Sequence, residues 1–405
     1  MSSPFAALRV RNFRLYFVGQ IISNVGTWFQ SIAQALLVIE LTGSGKALGI
    51  VTALQFLPML LLGVHGGVMA DRVKPRTLLL TTAGLAALLA TILALVTALH
   101  VVTIWWVWGL ALCLGCVQAF DRPTSQAFLY EMVGPEDLSQ AVGLYSITQS
   151  SARMVGPALG GAAYALFGSA PCFAINGASF LFVIVALVMM RTGELWPRQG
   201  EQRDAGEQVR EGLRYAWHDP QLRGPLLANL LIGCLAFNFM ILIAAMTKMV
   251  FHANAAALGS AHALNAVGAV IGGLLFAMLR KPSRLHLAMT CFAMAVTILV
   301  NALAPSLTFF LLWAPIFGLS VGAYQTTLQS SVQRATPPAM MGRISGLLTL
   351  GSVGTTPIGA MIVGWLIDTW SARAGMGLGA LACLVGGIGL LGSFERPLAE
   401  PRRSA

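Results

Sequence analysis

Two charged side chains stand inside long apolar runs, where a charge is costly and therefore informative: Asp121, in Gln118-Ala-Phe120-Asp121-Arg122-Pro123, and Arg153, in Ser151-Ala152-Arg153-Met154. A buried acid can take up and release a proton. A buried guanidinium can anchor an anionic group or hold a salt bridge that switches partners. Neutral polar residues recur around them at helical spacing. Gln20, Asn24, Thr27, Ser31 and Gln34 fall within an arc of about 80° at about 100° per residue. Ser146, Gln149, Ser150 and Arg153 share a second face, and Ser345, Thr349, Ser352 and Thr356 a third. Three such stripes suit hydrogen bonding to a solute rather than contact with hydrocarbon. Asp121 and Arg153 sit at depths differing by roughly 14 Å at a 1.5 Å rise, too far for a direct pair. Asp121 is read equally as a proton carrier and as a structural ion-pair partner of Arg122 or of the loop around Asp71. His65 and His262 read first as packing residues, and the Cys113/Cys116 pair, inside an apolar run, as small hydrophobes. No cluster has metal-ligand spacing and no nucleophile has a base beside it, so neither an enzyme nor a metal site is expected.

The elements that must hold these groups follow from composition. Of 405 residues 57% are apolar and only 10% charged, with mean hydropathy +0.76. A water-facing surface needs about a quarter of residues charged, so a soluble protein is excluded. Apolar runs near 15–41, 46–70, 77–98, 103–124, 139–167 and 171–190, then 224–250, 258–279, 285–303, 307–330, 343–368 and 375–393, predict twelve membrane helices. Trp105, Trp106 and Trp108 read as an interfacial belt, and Glu40 and Asp368 as carboxylates snorkelling at span ends. The first run is too long for a signal peptide.

The net charge of +10 has a topological origin. With both termini cytoplasmic, 21 of the 25 basic residues fall on one side, which sets orientation and removes the case for nucleic acid. The longest gap, 192–222, carries ten charges in 31 residues. Glu207, Arg210, Glu211 and Arg214 pair at helical spacing while Val209, Leu213 and Trp217 share a face, predicting a short amphipathic helix on the membrane surface. The expected organisation is therefore a six-helix bundle over 1–191, a linker over 192–222, and a second six-helix bundle with a short tail over 223–405. An internal echo at about 200 residues supports duplication: Thr124 and Gln126 match Thr327 and Gln329, Pro157 matches Pro357, and Gly66-Gly67 with Lys74-Pro75 matches Gly272-Gly273 with Lys281-Pro282.

Two motifs carry a family resemblance. Gly67-Val-Met-Ala-Asp71-Arg72-Val-Lys74-Pro-Arg76, between the second and third spans, resembles the loop signature of the major facilitator superfamily, with Lys74 where that signature has a second glycine. Gly143, Ala152, Gly156-Pro157 and Gly160-Gly161 on the fifth span are similar to the antiporter signature of its drug and proton exchangers. Together with Leu8-Arg-Val-Arg-Asn-Phe-Arg14 and Phe120-Asp121-Arg-Pro123, the chain resembles the branch of bacterial exporters that contains the enterobactin exporter and macrolide efflux proteins.

The resemblance implies an all-α membrane protein of twelve helices in two pseudo-repeat bundles. Its cavity would be lined from the first, fourth, seventh and tenth spans, which adds Gln118, Asp121, Asn238, Tyr324 and Gln325 to Asn24, Trp28, Gln34, Gln149 and Arg153, with His262 and Asn265 on the eighth. Gly67, Asp71, Arg72 and Arg76 would form a gating loop, and Gly143, Gly156, Pro157, Gly160 and Gly161 a smooth packing ridge. It further implies a monomeric exporter of a bulky amphipathic molecule in the bacterial inner membrane, without cofactor, driven by the proton gradient. An uncoupled or uptake facilitator and, more remotely, a non-transporting sensor are the alternatives.

Overall fold

The structure, a computed structural model, describes residues 6–197, 205–278, 283–337 and 340–392, without the side chains of 63–68, 70–72, 150, 153–154 and 205–209. Among these residues every regular element is helical. The long helices are α1 (Arg11–Thr42), α2 (Gly45–Arg72), α3 (Pro75–Ala98), α4 (Ile104–Phe167), α5 (Ser169–Val188), α6 (Ala205–His218) and α7 (Pro220–Leu235). They continue with α8 (Phe239–Ala245), α9 (Ala255–Ala277), α10 (Arg284–Ala302), α11 (Leu307–Ala335), α12 (Met341–Thr349), α13 (Thr356–Thr369) and α14 (Ala372–Gly392). Among the described residues, eleven stretches are long and apolar enough to cross a membrane.

Local chemistry sets the boundaries. Gly43 takes the left-handed conformation (φ 61°) that closes α1, and its N–H returns to Ile39 O. Ser44 caps α2, Asn254 caps α9 and Ser306 caps α11, while Pro75 and Pro220 stand at the first turns of α3 and α7. α4 departs from the expected gap at 125–138. It runs on past Pro123 and turns only at Gly134 (φ 72°), where the Trp196 ring fills the space a Cβ would need. One helical element therefore contains two limbs, 104–133 and 135–167.

The stretch expected as one span at 224–250 is interrupted. α7 stops at Leu235, and Asn238 Nδ2 donates to Cys234 O (2.7 Å), taking the carbonyl that a ladder N–H would use. The helix resumes as α8 and widens into a π-helical turn over Met246–Val250. A second π-helical turn, Leu350–Gly354, joins α12 to α13.

Large apolar side chains such as Leu88, Leu181, Leu274, Leu312 and Ile388 lie exposed on the outer faces, as a hydrocarbon environment requires. The interior closes by small residues: Gly268 and Gly272 of α9 lie on the Pro315 and Leu319 backbone of α11, and Gly318 and Gly322 of α11 on the Asn265 and Ala269 backbone of α9. α6 lies against α12, with Arg343 Nη1 2.8 Å from Glu211 Oε1, and leaves Leu213 and Trp217 exposed.

Candidate functional site

The described polar groups gather in three places. The first is a cavity of about 20 Å³ between α1, α2, α4 and α5, lined by Thr27, Gln30, Ser31, Gln34, Gln55, Gln118 and Asn176 with Leu114 and Phe180. That is room for one water. It unites Gln34 and Gln118, both expected, with three residues the helical stripe missed. Asn176 Nδ2 donates to Gln30 Oε1 (2.7 Å), with both side chains buried. Gln30 lies just beyond the edge of the Gln20–Gln34 stripe, and Asn176 stands alone in an apolar run, so only their pairing across helices reveals them. Thr27 and Ser31 spend their protons on the backbone, donating to Ser23 O (2.9 Å) and Thr27 O (2.8 Å). Asn24, one turn away, has an Nδ2 without a partner.

The second place surrounds Asp121, which is partly buried. Thr82 Oγ1 of α3 donates to Asp121 Oδ1 (2.7 Å), and Ser125 lies one turn on along α4. Tyr16 of α1, fully buried, donates to Ser125 Oγ (2.8 Å), and Gln20 Nε2 donates to Tyr16 OH (2.8 Å). Arg122 and Tyr145 complete the charged and titratable surroundings. Asp121 thus has a direct hydrogen-bond donor in Thr82, while the Arg122 guanidinium reaches Met59 Sδ (3.9 Å).

The third place is the α7–α8 break. Asn238 is buried with Oδ1 unpartnered, and Tyr324 is buried with its hydroxyl unpartnered. Phe237 meets Tyr324 edge-on (5.9 Å between ring centroids), and Phe239 meets Phe317 (5.1 Å). His262 and Asn265 are buried on α9, His262 with Nε2 unpartnered. Gln325 is exposed, facing away from its neighbour Tyr324.

The remaining expectations divide. The side chains of Asp71, Arg72 and Arg153, with Gly67, lie outside the described residues. Arg76 donates to Leu187 O (2.7 Å) and Val188 O (3.1 Å), so it neutralises the carboxyl end of α5 rather than reaching across a gate. In the glycine ridge, Gly143 faces open space and packs on nothing. Gly156 and Gly160 do form a close seam, with α1: a Cβ on Gly156 would stand 2.6 Å from Trp28 Cβ, so the Trp28 side chain is pressed onto α4. Gly161 faces the other way. A Cβ there would stand 2.7 Å from Gly259 Cα of α9, and one on Gly259 would stand 2.9 Å from Pro157 O.

That α4–α9 seam belongs to one end of the molecule. At the same end α2 packs on α13, where Gly364 approaches Gly49 and Lys46 within 3.1 Å of a notional Cβ. Glu40 and Asp368, expected to snorkel, are engaged here instead. Tyr164 OH donates to Glu40 Oε2 (2.6 Å), Lys248 Nζ lies 3.9 Å from Glu40, and Asp368 caps the start of α2. The opposite end carries Arg11, Arg76, Arg191, Arg223 and Arg343.

A helical array of this kind, closed at one end by glycine seams, with a polar cavity in the first set of helices and unpartnered buried polar atoms in the second, suits a solute carrier. The family model for transmembrane secretion effectors, within the major facilitator superfamily, matches residues 2–400. The chain belongs to this family. It is 25% identical to the uncharacterized MFS-type transporter YfiS of Bacillus subtilis, with 95% of this chain and 93% of that one covered. It is 24% identical to macrolide efflux protein A of Streptococcus pyogenes (89% and 91% covered) and 26% identical to the enterobactin exporter EntS of Shigella flexneri (94% and 90%). Among solved structures it is similar to a bacterial homolog of the human lysosomal transporter Spinster, with TM-score 0.72, 14% identity and 97% and 96% of the two chains covered. The nucleoside transporter NupG gives TM-score 0.73 at 12% identity, with 96% and 100% covered. The chain is a multi-pass membrane transporter of the major facilitator superfamily.

Proposed function

We propose that this transporter is a secondary exporter of the bacterial inner membrane, moving a bulky amphipathic small molecule outward in exchange for protons by alternating access. Counting the two limbs of α4 separately gives twelve spans, with the arginine-rich end and both termini cytoplasmic. Residues 1–191 and 223–405 then act as two rocking halves, monomeric, joined by the 192–222 linker whose α6 rests on the membrane surface.

The observation that carries this reading is the Gly161–Gly259 seam. Two helices from opposite halves touch there backbone to backbone, with no interlocked side chains to break, so the contact can open and reclose. Export as the direction takes its support from relatives named for macrolide efflux and enterobactin export. Substrate would be met by the amide cavity of Gln34 and Gln118 and by the Asn238–Tyr324 region. Asp121 would take the proton, and Arg153 an anionic group. A transporter-deleted host expressing the chain tests it: lowered accumulation of a macrolide, a catecholate siderophore or a dye supports export, and raised accumulation contradicts it.

One observation favours an uncoupled or inward facilitator. Among the described residues Asp121 is the one acid in the spans away from helix ends, which leaves coupling a single carboxylate. Transport that ignores an imposed pH gradient would establish that reading.

A further inference from the structure

We propose that the groove between α2 and α13 binds one phospholipid of net negative headgroup, with the headgroup phosphate on Lys46 and an acyl chain along Ile50, Met361, Ile362 and Trp365. Those five residues line a volume of about 470 Å³, within the range of about 300–1,000 Å³ usual for pockets that hold small molecules. Its walls come from α2 of the first set of helices and α13 of the second. Polarity is graded with depth. Lys46 and Trp365 stand near the α2 start and the α13 end, where a lysine stem can lie on apolar surface with its charge toward water and an indole ring suits the interface. Ile50 and Met361 lie one turn further in, about 6 Å at a rise of about 1.5 Å per residue. Met361, Ile362 and Trp365 are all exposed. A cation at the mouth with hydrocarbon surface beneath it fits an amphiphile that has an anionic head and lies along the spans.

The charges at this end select the headgroup. Its described lysine and arginine side chains are Lys46, Lys248 and Arg373, and two of them are committed. Lys248 Nζ lies 3.9 Å from Glu40 Oε1. Arg373 donates to Ala302 O and Ala304 O (2.9 Å each) and stands over the Phe251 ring (6.0 Å). The Lys46 side chain is exposed and has neither an ion pair nor a hydrogen bond among the described residues; only its backbone N–H is engaged, by Asp368 Oδ2 (3.1 Å). Asp368, the nearest acid, is itself filled by Ser44 Oγ and the N–H groups of Gly45 and Lys46, and its charge offsets the positive end of α2. Lys46 is therefore the uncompensated cation at the groove, and no lining residue can receive the ammonium of a zwitterionic headgroup. These contacts fix the helix end that holds the lipid. Assignment to the outer leaflet rests on the orientation proposed above, so the test gives lipid access from both faces.

The full-length protein is placed in bilayer discs of phosphatidylcholine, and a rising fraction of that lipid is replaced by phosphatidylglycerol or phosphatidylcholine brominated high on the acyl chain. Bromine quenches nearby indoles. The chain has nine tryptophans, so the groove signal is the part of the quenching lost in Trp365→Phe. Brominated phosphatidylglycerol is expected to half-quench that signal at about fivefold lower mole fraction than brominated phosphatidylcholine, the effect of one lysine at an anionic headgroup. Lys46→Gln, a change at an exposed side chain with no described partner, should bring the two lipids together, and Lys46→Arg should keep them apart. Equal quenching by the two lipids in the parent protein overturns the site, as does a difference that survives Lys46→Gln. A difference abolished by millimolar inorganic phosphate at fixed ionic strength would assign Lys46 to free phosphate and overturn the lipid.

Discussion

Asp368, the penultimate residue of α13, closes onto Ser44 at the start of α2: Ser44 Oγ donates to Asp368 Oδ2 (2.6 Å), and the N–H groups of Gly45 and Lys46 donate to its two oxygens (2.5 and 3.1 Å). Ser44 also caps its own helix through Ala47 N (3.1 Å). The positive end of one helix is thus held by a carboxylate from a helix of the other half, so separation of the halves at this end must break the contact. Removing it by Asp368→Ala should weaken closure by about 1–2 kcal/mol, roughly a 5- to 30-fold shift toward the open end. Cysteine accessibility at the buried Ala47→Cys, scored with and without the second change, reads this directly. Unchanged labelling would make the cap incidental.

Gly161 should tolerate nothing larger. A Cβ there meets Gly259 Cα at 2.7 Å and Ala255 O at 2.8 Å, both backbone and unable to yield. Gly161→Val is expected to fold and reach the membrane yet lose transport about fivefold or more, because overpacking of about 1–3 kcal/mol falls on the closed state alone. Gly143→Ala, in open space, should transport normally. Equal loss in both would mark the motif as a folding element.

The Gln30–Asn176 pair should be structural and its cavity neighbours functional. Asn176→Ala strands a buried Gln30 oxygen and should destabilise the protein by about 1–3 kcal/mol. Gln118→Leu leaves no such bond broken and should leave thermal stability unchanged while raising KM for the exported compound. Thermal unfolding in detergent beside transport kinetics separates the two, and a stability loss in Gln118→Leu would reassign the cavity to packing.

Much of the fold was legible because a bilayer imposes length and hydropathy on each span, so the runs at 77–98 and 307–330 fall inside α3 and α11. The α7–α8 break was not legible. It depends on one side-chain amide, Asn238, capturing the Cys234 carbonyl; no Pro stands there, and the adjacent Gly233 serves the close approach to Gly351 O. The stripe on α1 found Gln34 but not Gln30, since periodicity selects a single face and Gln30 is defined by Asn176 on another helix. The small-residue motif on the fifth span was legible as close packing. Which helix each glycine meets was not: Gly156 meets α1, Gly161 meets α9 and Gly143 meets nothing. The roles of Glu40 and Asp368 depend on contact between halves, which hydropathy does not encode.

The most direct test of the account is transport by the purified protein in vesicles of known sidedness, using the compound found in the host screen and an imposed pH gradient. With the arginine-rich end outward and the lumen acid, as in an inverted vesicle, the account predicts uptake of the compound into the lumen that collapses with the gradient and is absent in Asp121→Asn. Uptake that is indifferent to the gradient, or that Asp121→Asn sustains at the wild-type rate, would contradict it.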